Sequence, residues 1–465
     1  MSSNGLLLAF YGDDFTGSTD ALEFLSRAGI KTMLFIEPPT PQQLAIYTGL
    51  QAIGVAGMTR SMSPIEMEET LRPAFNALRN LGPRHVHYKV CSTFDSSPQT
   101  GSIGKAIDVG ASVFKNEFTP LLVATPALGR YCTFGNLYAR MGIGSNGEIY
   151  RLDLHPSMSK HPVTPAKESD LRLILAEQTA KKTGLIDILQ IERDVQETAK
   201  KIAVLVEDGN EVILFDAIYP QQLTTIGKLI DDCVADKPLF SVGSSGIETA
   251  LGSYWNQQEL LAYKTEWTAP TEAAPLLVLS GSCSPVTERQ IDYALEHDFA
   301  DVALDTAAIA VNDHAPLHHY VSEALQLLGR GQSVIVHVSR SNQDDRIGVS
   351  NQILSAKGLN QQEINSETAK IFGTALGRIA KEIAAMGVIS RILIAGGDTS
   401  SHAARAMGIE AVEMIAPLAP GAPLCKAYAP DSPVDGLEVN FKGGQVGSED
   451  YFETVLRGTT AVKTH

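Results

Sequence analysis

The stretch LLLAFYGDDFTGSTDALEFLSR, residues 6–27, joins two patterns that belong to one architecture. Leu6–Tyr11 is an unbroken apolar run of strand length, and residues 17–28 place apolar side chains at helical spacing. Gly12-Asp13-Asp14-Phe15-Thr16-Gly17 supplies the turn between them. A continuous apolar strand followed at once by an amphipathic helix opens a βα unit, and such strands are covered on both faces in a parallel sheet.

The alternation continues outward. Thr32–Ile36, Ala52–Ala56, Val86–Val90 and Leu121–Ala124 read as buried strands, with helices over 64–80 and 101–115. Gly129–Pro165, rich in Gly, Pro, Ser and His, reads as loops or a β-excursion. Helices over 168–182, 194–207 and 221–235 then frame strands Val212–Asp216 and Leu239–Val242. Thr268–Pro275 (TAPTEAAP) has no apolar period and the composition of an exposed link. Beyond it, strands Leu276–Leu279, Val302–Leu304, Val334–His337 and Ile392–Ala395 alternate with helices over 285–297, 316–328 and 366–386. The expected fold class is α/β in two domains, 1–267 and 276–465, each with a mainly parallel sheet flanked by helices.

The 465 residues exceed what one core normally serves, in keeping with two domains. Lys+Arg at 37 against Asp+Glu at 53 gives a net charge of 37 − 53 = −16, the wrong sign for a nucleic-acid or anionic-membrane binder. A small anionic ligand stays open, because phosphates and carboxylates are captured by local amides and single cations. Apolar runs such as Ile202–Val206 fall short of the ~18 residues of a membrane span, and no cationic segment precedes Leu6–Phe10, so a cytoplasmic location is expected. Cys91, Cys132, Cys233, Cys283 and Cys425 form no Cys-x-x-Cys pair and read as ordinary thiols. His85-x-His87 shares a strand face, and His314 and His318 are separated by Pro316; neither pair brings evident further metal ligands.

Ligands of open α/β sheets bind at the carboxyl ends of the strands, so the strand-to-helix loops hold the chemistry. Asp13 and Asp14 can accept hydrogen bonds from a polyol, take a proton from a hydroxyl or hold Mg²⁺; one of them can equally cap the helix. Arg60, in Thr59-Arg60-Ser61, and Lys89 are single cations at strand ends that could hold a carboxylate, or could be solvated charges. Ser280-Gly281-Ser282-Cys283-Ser284 and Gly396-Gly397-Asp398-Thr399-Ser400 have the small residues that let amides close on a phosphate, the second leading into a helix over Ser401–Met407. Gly142-x-Gly144-x-x-Gly147 matches a dinucleotide string but has no strand before it, and Gly104-Lys105 lacks the upstream Gly of a P-loop. Gly243-Ser244-Ser245-Gly246 is either an anion or interdomain contact or a close-packed turn.

Together these segments resemble the four-carbon acid sugar kinase family across nearly the whole chain. The Gly12–Gly17 and Gly396–Ser400 segments look like its hallmarks. Supporting matches are Thr59-Arg60-Ser61, His161-Pro162-Val163-Thr164-Pro165 with Glu168-Ser169, Gly243–Gly246, Leu279–Ser284 and Lys442-Gly443-Gly444-Gln445-Val446-Gly447. The resemblance implies a sugar-acid site of Asp13, Asp14, Arg60 and Lys89 in the first domain. It implies an ATP site of Ser282, Gly396, Gly397, Asp398, Thr399, Gly443 and Gly444 in the second. One departure stands out: where the family commonly has Lys-x-Asp-Ser-Thr-Leu-Arg-Gly, this chain has Lys89-Val90-Cys91-Ser92-Thr93-Phe94-Asp95-Ser96. That variant is similar to a branch acting on 3-oxo-isoapionate, a branched acid sugar.

The expected activity is phosphoryl transfer from Mg²⁺·ATP to a hydroxyl of a small acid sugar, in the cleft between the domains, with Asp14 or Asp398 as base. The expected partners are that sugar and ATP, with no nucleic acid and no membrane, and a homodimer is the base-rate assembly. The rival from another class is a two-domain small-molecule sensor without phosphotransfer, which has no need of the Gly-Gly-Asp-Thr-Ser loop. The absent dinucleotide fingerprint weighs against a dehydrogenase.

Overall fold

The computed structural model describes residues 5–141, 147–160, 164–311 and 317–458. Gly142 and Gly144 of the dinucleotide-like string, His161–Val163 of the proline-bounded segment, and His314 with Pro316 lie outside the described residues. The chain divides into two compact units, Met1–Met33 with Glu37–Thr265, and Leu34–Ile36 with Glu266–His465.

The first unit carries β1 (Leu8–Gly12), β2 (Thr32–Phe35, which straddles the division), β3 (Ala52–Ala56), β4 (His85–Lys89), β5 (Thr119–Leu122), β6 (Arg130–Thr133), β7 (Asn136–Arg140), β8 (Ile149–Arg151), β9 (Thr183–Ile186), β10 (Val212–Phe215) and β11 (Leu239–Gly243). Its main sheet runs β2-β3-β1-β4-β11-β5-β10-β9, and the pairings from β3 through to β9 are parallel. Every residue of β1, β3, β4 and β11 is buried, which is why β1 and β3 read as unbroken apolar runs.

Strand β4 (HVHYK) is the exception in composition, and its alternation explains it. Val86 and Tyr88 share one face, where Tyr88 packs edge-on to Phe75 at 6.1 Å between ring centroids, and Phe75 lies 5.2 Å from Phe240. Phe75 comes from helix Pro64–Asn80, started by a Ser63–Glu66 capping box with Pro64 in the first turn. His85, His87 and Lys89 point to the opposite face and must find polar partners there. The Gly129–Pro165 region contains an antiparallel sheet, β6-β7-β8, the β-excursion rather than loops alone.

The second unit carries β12 (Leu277–Ser280), β13 (Ala300–Ala303), β14 (Val334–His337), β15 (Arg391–Ala395), β16 (Ala411–Ala419), β17 (Ala422–Tyr428) and β18 (Glu438–Lys442). The order is β13-β14-β12-β15-β18-β17-β16, parallel from β13 to β18 and antiparallel at the last two pairings. Val278, Ile335, Leu393, Leu424, Tyr451 and Val455 are buried together in its core.

Two expected helices differ from the structure. The one placed over 168–182 is only Leu171–Ala176, capped by Asp170 and followed by a turn that leads into β9. The one placed over Ser401–Met407 begins at Gly397: Gly396 precedes it with φ +120, a conformation suited to glycine, and folds the chain straight into the helix. Asp398, Thr399 and Ser400 therefore sit in a first helical turn rather than in a loop.

Candidate functional site

In the first unit the parallel register lines up the strand ends. Gly12 pairs with Ala56 and with Lys89, and Lys89 pairs with Gly243. The segments that follow therefore emerge side by side, which brings Asp13, Asp14, Arg60 and Lys89 together. A methyl group added at Gly17 would lie 2.5 Å from Asp14 Oδ1, 3.5 Å from Lys89 Nζ and 3.7 Å from Arg60 Nη2. Glycine here keeps open the space on which three charged groups converge.

The capping reading holds for Asp14, and Arg60 ties the two acids together. Asp14 caps helix Phe15–Arg27, accepting from Gly17 N at 2.6 Å and from Thr16 Oγ1 at 3.0 Å. Asp13, only 3% exposed, receives the Arg60 fork through Nε at 3.0 Å and Nη2 at 2.7 Å, while Arg60 Nη1 reaches Asp14 Oδ2 at 2.6 Å. Burial pushes the Asp13 carboxyl above its ordinary value, against the pull of Arg60 and with the Asp14 charge adding to the rise. Burial also opposes charge on Arg60, yet Asp13 and Asp14 outweigh it and hold the guanidinium firmly protonated. The fork that the sequence offers to a substrate carboxylate is already spent on these two acids.

Lys89 is equally engaged. Its ammonium, 1% exposed as a residue, donates to Val90 O at 3.1 Å and lies 3.5 Å from Asp20 Oδ2, which also accepts from Ser245 Oγ. Burial works against its charge, but Asp20, Glu248 and Asp13 more than compensate. Gly243–Gly246 thus supports the acid cluster from below rather than being only a close-packed turn.

Two further buried groups were not legible as part of the site. Among the described residues His87 Nε2 and both oxygens of Glu248 have no hydrogen-bond partner, although His87 Nε2 and Glu248 Oε1 face each other at 3.5 Å. Burial, with the Lys89 charge adding, lowers His87 to about 3, and burial raises Glu248 to about 8. A proton held by Glu248 offers His87 a donor and spares the core a second carboxylate. Glu248 ordinarily titrates at 4.5, so the unfolded chain loses that proton first and folding is penalised increasingly as pH rises from 4.5 to about 8. Glu248→Gln should therefore raise the melting temperature by several degrees at pH 8.5 and by little at pH 5, read by thermal unfolding at both values. His85, by contrast, is a structural histidine: its Nε2 pairs with Asp231 Oδ1 at 2.9 Å, an acid that Arg84 and Trp255 also hold.

The end of the segment that departs from the family pattern, Thr93–Ser96, lines a cavity of about 370 Å³. Thr93–Gln99 form one wall, facing Leu152, Thr164, Glu168, Glu177 and Gln178. Phe94 takes a positive φ of 57, turning the chain within that wall. Cys91 donates or accepts at Thr93 Oγ1, 3.0 Å away, and burial pushes its thiol up to about 12, so it sits there as a neutral group.

In the second unit Ser280 pairs with Ala395, and Ala395 with Lys442, so the 280–284, 396–399 and 443–444 segments share one edge. A Cβ at Gly396 would stand 2.9 Å from Thr399 Oγ1 and 3.4 Å from Ser282 N, closing the approach that glycine permits. Ser284 caps helix Pro285–Glu296 by accepting from Thr287 N, and its hydroxyl donates to Gly444 O. Two helix N-termini therefore meet a ring of hydroxyls, with Asp398 exposed on the first turn of one.

Lys442 is the cation of this edge. Its side chain is wholly buried, its Nζ donates to Thr287 Oγ1 at 3.1 Å, and that hydroxyl stands 3.0 Å from Ser282 Oγ. Among the described residues no carboxylate pairs with it, and burial alone lowers it to about 7. The arrangement places a buried amine behind the hydroxyls of Thr287 and Ser282. No described helix is long and apolar enough to cross a membrane.

The comparisons with known proteins agree with this division. The chain matches the model of a sugar-binding N-terminal domain over residues 8–251 and that of a nucleotide-binding C-terminal domain over residues 277–452. A 3-oxo-isoapionate kinase of Paraburkholderia graminis is 39% identical over 460 residues, covering 98% of this chain and 95% of its own length. A 3-oxo-tetronate kinase of Cupriavidus necator is 28% identical over 454 residues, covering 97% and 96%. A solved structure from Salmonella typhimurium LT2, described as a tRNA synthase, aligns with TM-score 0.73 at 24% identity over 96% of this chain and 98% of its own, a likeness of fold. With both halves matched in order and a relative this similar along almost its entire length, the chain belongs to the four-carbon acid sugar kinase family.

Proposed function

We propose that this protein transfers the γ-phosphoryl group of ATP to a hydroxyl of a 3-oxo acid sugar, with 3-oxo-isoapionate as the first candidate. The observation that carries the reading is the pairing of an acid-rich, cation-balanced strand edge in one unit with a hydroxyl- and glycine-lined edge at two helix N-termini in the other. Phosphoryl transfer needs alignment, charge neutralisation and a proton acceptor more than it needs covalent chemistry from the protein. Ser282, Thr399 and the amides around Gly396, Gly397, Gly443 and Gly444 are assigned to the phosphates. Asp13 and Asp14 are assigned to the sugar hydroxyls. The proton acceptor is placed on this pair, where Asp13 has the raised proton affinity that favours a general base, rather than on Asp398.

ATP brings Mg²⁺, which neutralises phosphate charge. Asp398, exposed beside the glycines, is the carboxylate that fits such an ion. Among the described residues no group of three His, Cys, Asp or Glu side chains forms a ready cage, and Mg²⁺ bound with nucleotide takes most of its ligands from phosphate and water. The demand for ATP suits the cytoplasm.

The substrate assignment rests on the 39% identical relative and on the Cys91–Ser96 variation, of which Thr93–Ser96 line the cavity. A neutral thiol at position 91 and an acid at 95, in place of the family's Asp and Arg, change both charge and width on that side. In an ATP-coupled assay, 3-oxo-isoapionate should outperform 3-oxo-tetronate and straight tetronates in kcat/KM. Equal rates across the panel would remove the substrate assignment, and a lack of thermal protection by ATP would favour a sugar sensor instead.

A further inference from the structure

An acid sugar needs a counter-charge, and the two cations legible in the sequence are already matched: Arg60 by Asp13 and Asp14, Lys89 by Asp20. Among the described residues Arg130 is matched by none. It opens β6 on the segment that leaves β5, and register places that segment at the same sheet edge as the acid cluster. Leu122 pairs with Gly243, which pairs with Lys89, which pairs with Gly12. Two hydrogen bonds fix the segment against Gly243–Gly246: Thr125 Oγ1 lies 2.6 Å from Ser244 Oγ, and Ser244 Oγ donates to Val123 O at 2.6 Å.

Arg130 is only 6% exposed, and its Nη1 donates to the carbonyls of Leu128 at 3.0 Å, Gly129 at 3.3 Å and Arg140 at 3.2 Å. These contacts orient the guanidinium without neutralising it. Among the described residues its buried Nε has no hydrogen-bond partner and no carboxylate forms an ion pair with it. Burial disfavours its charge more than Asp95 and Asp20 restore it from a distance. An unmatched buried guanidinium is costly, and it is the group best suited to a planar carboxylate.

We propose that Arg130 binds the carboxylate of the acid sugar and thereby selects acids over neutral polyols. Arg60 and Lys89 then serve to set the charge and position of Asp13, Asp14 and Asp20. The inference rests on the acid-sugar reading above, and the test separates the two.

Arg130→Met and Arg130→Lys are compared with wild type on 3-oxo-isoapionate and on its carboxamide, by calorimetric binding and by initial rates. Loss of charge-assisted hydrogen bonds should raise KM and Kd for the acid by about 10- to 100-fold in Arg130→Met, leaving ATP KM unchanged. The acid/amide preference of the wild type should collapse in that variant. Arg130→Lys, which keeps the charge but loses the fork, should fall between, and it carries the comparison if the methionine variant does not fold. A folded variant of either kind that keeps the full acid/amide preference overturns the proposal. Wild type that binds the acid but transfers no phosphate retires the kinase reading while leaving the Arg130 comparison intact, and wild type that binds neither ligand overturns both.

Discussion

Arg60→Met should destabilise the first unit by about 3 kcal/mol and abolish acid sugar turnover. The cost comes from what is left behind. Asp13 is 3% exposed and Asp14 adjoins it, and Arg60 gives each a direct hydrogen bond, two of them to Asp13. Without the guanidinium, two neighbouring carboxylates face each other at a strand end with only Lys89 nearby. The figure is taken at the low end for a stranded buried pair because the Arg60 side chain keeps 29% of its exposure. Removing one acid as well, in Arg60→Met/Asp13→Asn, should restore part of the melting temperature and none of the activity. Thermal unfolding of the single and double variants reads this coupling. Arg60→Lys should remain impaired, since an ammonium cannot bridge both acids as the fork does. A melting temperature for Arg60→Met equal to wild type would mean the acids do not depend on Arg60.

Lys442→Met should weaken ADP binding by about 10- to 100-fold at pH 6 and flatten its pH dependence. In the free protein burial lowers Lys442 to about 7, so the ammonium is present below that value and lost above it. Phosphate oxygens favour the charged form, so nucleotide binding draws in a proton when pH exceeds about 7, and affinity declines as pH rises. The nucleotide's own phosphate titrates in the same window, so the informative quantity is the difference between wild type and variant from pH 6 to 8.5. Calorimetry in buffers of different ionisation enthalpy should show proton uptake at pH 8 in wild type and less in the variant. Identical curves would place Lys442 outside nucleotide binding.

Much of the strand pattern was legible because buried parallel strands are apolar on both faces. The Ala411–Tyr428 hairpin was not, because it carries Pro417, Pro420 and Pro423, a residue type that disfavours strand interiors. It tolerates them through register shifts between Met414 and Ala416 and between Ala416 and Ala419, where ladder bonds are already interrupted. Of the site, Asp13, Asp14, Arg60 and Lys89 stood out as charges at strand ends, and register alone brings them together. What sequence could not convey is which cations are already neutralised. Arg130 sits in a stretch rich in Gly, Pro and Ser, Lys442 in a glycine-rich string, and Glu248 in a helix where acids normally face water. Only burial and partner geometry mark them.

Phosphorus NMR of purified protein with Mg²⁺·ATP and 3-oxo-isoapionate tests the kinase reading most directly. A new phosphomonoester resonance should grow one for one with ADP, and should vanish in Asp13→Asn. ATP left intact, or converted only to ADP and inorganic phosphate with the sugar unmodified, in protein that calorimetry shows to bind both ligands, would contradict it.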